Sequence, residues 1–216
     1  PCARALEAHY DTIRAECKQL LASQYTYYRD KGGGGHGGAH ARLVTNGEWS
    51  DVQLYAGCRK EETHCSLCPR TAELIANQPA FNTVVHSSHF FSRLTPGSHI
   101  SKHCGPSNLR LRCHLGLQVP DGCRIRVGDE IRAWKQGECL VFDDSFEHEV
   151  FHDGNADRIV LICDCWHPQV DVDTMVVPLL SQSQRAAFEA ARAQQHLPME
   201  RTPEGLVRSR VGGGIK

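Results

Sequence analysis

The sequence predicts a mainly β domain, a sandwich or barrel with helices only at its ends. Three observations carry that prediction. From Trp49 onward the chain breaks into many short strand-like runs separated by turns. One of them, Leu109 to Val119, alternates apolar and polar residues over its whole length, the period of a strand with two different faces. Helical spacing of apolar residues is confined to the two ends.

The N-terminal element places Leu6, Tyr10, Ile13, Cys17 and Leu20 three or four residues apart, which predicts one amphipathic helix from Leu6 to Leu21. Gly32 to Gly38 is a Gly/His tract with nothing to pack, read as a mobile loop with His36 and His40 as solvated side chains. After the long strand, further strands are expected at Cys123–Val127, Glu130–Trp134, Cys139–Phe142, His148–Phe151 and Arg158–Trp166. Ser183 to Gln195 predicts a terminal helix, and the Gly-rich tail after Val211 a disordered end. The expected organisation is therefore residues 1–48 as helix and mobile loop packing on the core, 49–170 as the core, and 171–216 as C-terminal helix and flexible tail.

With 216 residues the chain is long enough for one domain with a substantial core. Lys and Arg (24) nearly balance Asp and Glu (25), so no global field favours nucleic acid, which is not expected as a partner. No apolar run is long enough to span a bilayer, and no signal peptide is evident. A start at Pro1 instead of Met reads as a soluble fragment of a longer protein, whose upstream anchor, if one exists, lies outside it. Eleven cysteines leave at least one thiol unpaired. Cys113, Cys139, Cys163 and Cys165 lie in apolar runs and read as buried small hydrophobes. Cys58, Cys65 and Cys68 lie in a polar stretch and are the better disulfide candidates, which leans the setting towards an oxidising lumen. Zinc at Cys65-x-x-Cys68 beside His64 is the weaker reading, because no second ligand pair follows.

The chemistry-bearing residues cluster around the long strand. Its polar face carries Arg112 and His114. Either they point into a barrel, where they would need an anion or a metal-bound ligand, or the strand is an edge whose polar face meets water. Before it, Pro96 to Asn108 contains His99 and His103; beyond it, Phe142 to Val150 contains His148, and Arg158 follows ten residues later. Non-haem iron oxygenases use two histidines and a carboxylate on one face of the metal. Their usual pattern is His-x-Asp/Glu, a distal His and then a basic residue about one strand on. His103, His148 and Arg158 occupy three of those places, but the residue two after His103 is Gly105. Asp143 and Asp144 precede His148 and lie outside the motif's carboxylate position.

Several motifs then match one family in order: Pro96-Gly97, His103-x-Gly105-Pro106-x-Asn108, Arg110-Leu-Arg112-Cys-His114-Leu-Gly-Leu117, Phe142 to Val150, and Asp164-x-Trp166-His-Pro168. The stretch from Trp49 to Pro168 resembles the catalytic domain of the aspartyl/asparaginyl β-hydroxylases, and Cys65 to Thr71 is similar to their membrane-anchored relatives, the aspartate β-hydroxylase domain-containing proteins. That family has Gly where other oxygenases carry the iron carboxylate, so Gly105 fits the resemblance. It implies a double-stranded β-helix barrel, jelly-roll and cupin-like, with flanking helices. It implies catalytic Fe(II) on His103 and His148, with 2-oxoglutarate and dioxygen as cosubstrates. Arg158 would pair with the distal carboxylate of 2-oxoglutarate, where a forked guanidinium suits bidentate contact. Trp49, Ser92, Arg112, Cys113 and His114 match the remaining cosubstrate-binding positions, with ordinary core packing the alternative for Trp49.

The activity so implied is hydroxylation of the β-carbon of Asp or Asn in a polypeptide, EGF-like domains among the candidates, with release of succinate and carbon dioxide. The expected setting is the lumenal domain of an endoplasmic reticulum membrane protein, or the cytoplasm if no anchor exists. Alternatives are the same chemistry on a lipid or other small substrate, a halogenase admitting chloride at the missing carboxylate, and a non-catalytic barrel that binds a protein partner. Retention of His103, His148, Arg112 and Arg158 argues against the last, since a barrel without ligands has no need of buried charge.

Overall fold

The alternating run becomes a strand from Arg110 to Gln118, and the molecule is organised around its two faces. The structure, a computed structural model, describes residues 2–22 and 43–194 together with the backbone of 199–202 and 205–208. Two antiparallel sheets face each other. The five-stranded sheet runs in the order β1 (Val44–Asn46), β5 (His99–His103), β10 (His148–His152), β7 (Cys123–Val127), β8 (Glu130–Ala133). The six-stranded sheet runs β3 (Arg59–Lys60), β2 (Trp49–Ala56), β4 (Ser88–Leu94), β11 (Arg158–Trp166), β6 (Arg110–Gln118), β9 (Cys139–Phe142). β12 (Met199–Thr202) and β13 (Gly205–Arg208) form a separate two-stranded sheet within the segment expected to be a flexible tail. From β4 to β11 the chain passes back and forth between the two large sheets. That winding makes the fold a double-stranded β-helix.

The side-chain period of two divides each strand between two cores. On β11, Val160 and Ile162 point between the sheets and pack with Phe90, Ile100, Ile125 and Val150. Its alternate residues Ile159, Leu161, Cys163 and Cys165 point outward into a second cluster with Leu54, Cys113, Leu115 and Leu117. The six-stranded sheet is thus apolar on both faces, and its outer face needs a cover. α1 (Cys2–Ala8) and α2 (Tyr10–Ala22) provide it through Leu6, Ile13, Cys17 and Leu20. The single helix expected from Leu6 to Leu21 is broken at His9, whose Nδ1 lies 2.8 Å from the Ala5 carbonyl oxygen. A side chain that bonds the preceding turn in this way competes with the backbone ladder.

Helices are not confined to the ends. α3 (Glu62–Leu67), α4 (Pro69–Ala76) and α5 (Pro79–Asn82) lie between β3 and β4, and α4 and α5 each open on a proline near N1. They are too short to show a helical period, but Ala72, Ile75 and Phe81 complete the outer core. α4 is capped from another helix. The carboxylate of Glu16 on α2 accepts bonds from Arg70 N (2.9 Å), Thr71 N (2.8 Å) and Thr71 Oγ1 (2.6 Å). Cys58, Cys65 and Cys68 form no disulfide, and all eleven cysteines are free thiols. Cys65 and Cys68 are buried where α3 meets α4, and the Cys65 thiol donates to the Leu54 carbonyl.

After α6 (Val172–Met175), α7 (Gln182–Gln194) packs Phe188 against Val85 and Val176. No helix among the described residues is long and apolar enough to cross a membrane. The Gly32–Gly38 tract with His36 and His40 and the tail after Val211 lie outside the described residues.

His89, on the outer side of β4, sits between Tyr55 and Phe81 and is fully buried. Burial keeps its ring neutral, pushing the pKa down to about 4, against ~6.5 in an unfolded chain. The unfolded state therefore takes up this proton first. The contribution is fully present above pH ~6.5 and is lost as pH falls towards ~4, a loss of up to about 3 kcal/mol. Urea unfolding at neutral and acidic pH is expected to show this loss, and His89→Leu is expected to flatten the dependence.

Candidate active site

The inward face of β6 is a row of charge. Arg112 and His114 point between the sheets, as the barrel reading of the alternation requires, and Arg110 lies on the same face. Such charges are tolerated inside a fold only with partners. Asp164, on the inward face of β11, accepts from Arg110 Nη1 (2.7 Å), Arg112 Nε (2.8 Å), Arg112 Nη2 (3.1 Å) and Ser88 N (2.8 Å). Burial alone would raise its pKa, but the two guanidiniums hold it below the ordinary carboxylate range. Asp144 adds a second anion, 3.0 Å from Arg110 Nη2 and 3.6 Å from Arg112 Nε.

Deeper in the barrel the compensation stops. Arg158 is fully buried, its Nε has no hydrogen-bond partner, and no carboxylate among the described residues pairs with it. Its guanidinium lies 5.0 Å from the Trp134 ring centroid, a cation–π contact. Burial lowers its pKa to about 10, so it is charged at neutral pH. Beside it, Trp134 Nε1 donates to His114 Nδ1 at 3.2 Å. Burial, reinforced by Arg158 and Arg112, holds His114 far below its usual pKa. The neutral ring therefore carries its proton on Nε2, which is buried and has no partner. Ser92 Oγ accepts from Trp49 Nε1 at 2.9 Å, leaving its own proton to donate. Arg158, His114 and Ser92 thus present donors around one lumen, the donor set of a buried anion site.

His103 and His148 sit directly opposite each other on β5 and β10, with ring centroids 4.1 Å apart. A β-bulge makes this possible. His148 pairs with His103 and Val150 with Ile100, so β5 carries one extra residue. Ile100 points into the lumen, and strict alternation would turn His103 outward; the extra residue turns it back in. His99, before the bulge, points away and stacks on Phe151 at 4.7 Å. The Nδ1 atoms of His103 and His148 lie 2.8 and 2.9 Å from the carbonyls of Ser101 and Phe146. Those carbonyls fix the tautomer with the lone pair on Nε2, the form that binds a metal. Burial pushes His148 down to about 4, so its ring is neutral near pH 7.

Sequence order misplaces Asp144. Its fully buried carboxylate lies so close to Gly105 that a Cβ there would collide with it, and the Gly105 N–H donates to the Asp144 carbonyl. The negative charge absent from position 105 therefore arrives from another segment. Its Oδ1 is buried without a partner. Among the described residues no three His, Cys, Asp or Glu side chains are close enough to hold a metal together, so an ion here would have two protein ligands. Two imidazoles whose Nδ1 atoms are held by backbone carbonyls, with an acceptor behind them, suit a divalent ion that keeps water in its remaining positions.

Cys113 does not join the site. It lies between Arg112 and His114, so the period of two sends it to the outer core with Leu115 and Leu117. Trp49, Ser92, Arg112, His114, His148 and Arg158 all line the lumen, a void of about 30 Å³. That is roughly the share of one water molecule, so a larger ligand must push aside half-buried walls such as Trp49 and Phe142. Above it opens a mouth of about 590 Å³ lined by His103, His148 and Asp144, with His86, Arg59 and Gln184 of α7 on its wall. Sequence reasoning missed Asp144, Asp164, Arg110 and Trp134 as parts of the site. A signal existed for Asp164, which shares a strand face with Arg158; none marked Trp134.

The model of the Aspartyl/Asparaginyl beta-hydroxylase family matches residues 7–168. The chain belongs to this family. It is 43% identical over 129 residues to aspartate beta-hydroxylase domain-containing protein 2 of Xenopus tropicalis, covering 58% of this chain and 35% of that protein. It is 40% identical over 129 residues to human aspartyl/asparaginyl beta-hydroxylase, covering 59% of this chain and 17% of the human protein. The match therefore spans about a third or less of these relatives. A Pseudomonas putida prolyl-4-hydroxylase structure aligns over 73% of this chain and 88% of its own, with a TM-score of 0.42 and 16% identity. That likeness is distant, and the fold assignment rests on the strand order.

The two buried charge arrangements predict opposite stability effects. Asp164→Asn leaves two guanidiniums undercompensated and is expected to cost about 3–5 kcal/mol. Arg158→Met removes a buried cation that lacks a partner and is expected to stabilise the ligand-free protein by about 1 kcal/mol or more. Denaturant unfolding of both variants checks the pair; a destabilised Arg158→Met contradicts the unpaired-cation reading.

Proposed function

We propose that this protein is an Fe(II)- and 2-oxoglutarate-dependent dioxygenase that hydroxylates the β-carbon of Asp or Asn residues in a polypeptide. Membership of the β-hydroxylase family supports the reaction class. The observation that carries the proposal is the unpaired Arg158 beside the partnerless His114 Nε2, below the facing His103 and His148. Such a lumen calls for an anion that reaches from the guanidinium to a metal on the two histidines. 2-Oxoglutarate, with a carboxylate at each end, has that form.

The roles of the residues follow. Arg158, with Ser92 and His114, would receive the distal carboxylate in a forked contact shielded from water. The carbonyls of Ser101 and Phe146 aim the Nε2 atoms of the histidine pair. Iron, when bound there, supplies the oxygen activation that no side chain can perform. Asp144 would orient a water on the metal, and Asp164 keeps Arg110 and Arg112 from competing for the cosubstrate. The mouth, wider than the lumen, would admit an extended polypeptide. The same reading sets the protein in the lumen of the endoplasmic reticulum, where EGF-like domains fold.

Iron-loaded protein incubated with 2-oxoglutarate and EGF-like peptides of differing disulfide pattern is expected to release succinate and add one oxygen to a peptide. Dialysis against EDTA is expected to remove the activity, and turnover unchanged by it rules out the two-histidine iron site. Gly105→Ala pushes the Asp144 carboxylate away and is expected to weaken iron binding roughly 10–100-fold, measurable by metal titration without turnover.

A further inference from the structure

A second cavity borders the lumen. β8 and β9 end their respective sheets, each bonded to one neighbouring strand. Between them lies a cavity of about 620 Å³. It shares no lining residue with the mouth above the histidines. Each shares lining residues with the lumen at a different place, the mouth His148 and Arg112, the second cavity Ile125 and Phe142. The Phe142 ring stands at this boundary, 5.1 Å from the His114 ring and 5.4 Å from that of His148.

The chemistry of the two cavities differs. The second cavity is walled by Ile125, Val127, Leu140 and Phe142, and its rim carries Asp129, Glu130 and Asp143 against one cation, Arg132. Arg132 already pairs with Glu130 at 2.6 Å. An acidic rim repels a dicarboxylate, whereas an uncharged diatomic gas is indifferent to it and is favoured by the apolar wall. A polypeptide seated at the polar mouth closes that mouth, so a small gas needs another way in.

We infer that the cavity between β8 and β9 is the entry for dioxygen, which passes Leu140, Ile125 and the edge of Phe142 to reach the histidine pair. The inference rests on the oxygenase reading and adds a route to it.

Dissolved dioxygen is paramagnetic, so it speeds the relaxation of methyl protons that it approaches, with or without iron. Ile125 and Ile162 line the lumen, while Ile13 and Ile75 are as deeply buried in the outer core. In metal-free protein under oxygen pressure, the methyls of Ile125 and Ile162 are expected to relax at least about threefold faster than those of Ile13 and Ile75. Leu140→Trp is expected to lessen the difference, most of all at Ile125, which lines this cavity as well as the lumen; where that variant does not fold, Val127→Trp narrows the same cavity. Equal relaxation at all four positions in the wild type overturns the route. In turnover, Leu140→Trp is expected to raise KM for dioxygen at least about threefold and leave KM for 2-oxoglutarate unchanged. An unmoved KM for dioxygen also overturns it. Wild-type protein that admits the gas but releases no succinate with any peptide overturns the oxygenase reading instead, so the two failures are distinct.

Discussion

The grip of Asp164 on Arg110 and Arg112 is the interaction on which the rest of the barrel depends. A strand with an apolar outer face must send its polar residues inward once helices cover the sheet, and β6 sends two guanidiniums and an imidazole. Without a countercharge, two buried cations on one strand face would cost several kcal/mol each. Asp164 answers from the adjacent strand and binds the start of β4 as well, through Ser88 N. It therefore joins three neighbouring strands at the end of the barrel where the mouth opens.

Compensation falls off with depth. At the mouth, two guanidiniums meet two carboxylates; at the floor, Arg158 meets no carboxylate among the described residues and lies over the face of an indole. A deep anion site can be retained only if nothing nearer satisfies it, and the network at the mouth keeps Asp144 and Asp164 engaged elsewhere. The same arrangement explains why Gly105 suits its position. Any side chain there would displace Asp144, which would free Arg110 and remove the negative charge closest to the histidines.

Much of this was legible in the sequence because it depends on a period of two. The alternation of β6 sorted its residues onto two faces, though it left open whether the polar face met a lumen or water, and the spans of β7, β9 and β11 agree with their patterns. The two histidines and Arg158 could be picked out by type and order. Period could not reveal features that break it. The bulge that turns His103 inward leaves no compositional mark, and α3 to α5 are shorter than a helical pattern needs. Cys113 shows the opposite: it lies in a run of residues that match the family together, but alternate members of that run face opposite sides of the sheet. Trp134 reaches the site through tertiary folding from a position outside every motif, and Asp144, although it shares a motif with His148, meets Gly105 only through the fold. The thiols of Cys65 and Cys68, read as disulfide partners from a polar neighbourhood, are held under helices whose existence the same polarity concealed.

The site is also divided between the two sheets. Both histidines belong to the five-stranded sheet, while Arg158, His114, Arg112, Ser92 and Trp49 belong to the six-stranded sheet. Between them is an apolar layer with a narrow void. A ligand that touched Arg158 at one end and the histidine pair at the other would add polar contacts between the sheets across a layer of mainly apolar packing. Its binding free energy would add to the stability of the fold by mass action. The buried charge of Arg158 is then the group through which such a ligand would strengthen the barrel. Closure of the sheets and assembly of the site would be one event, because the residues that bind are the ones that face across the gap.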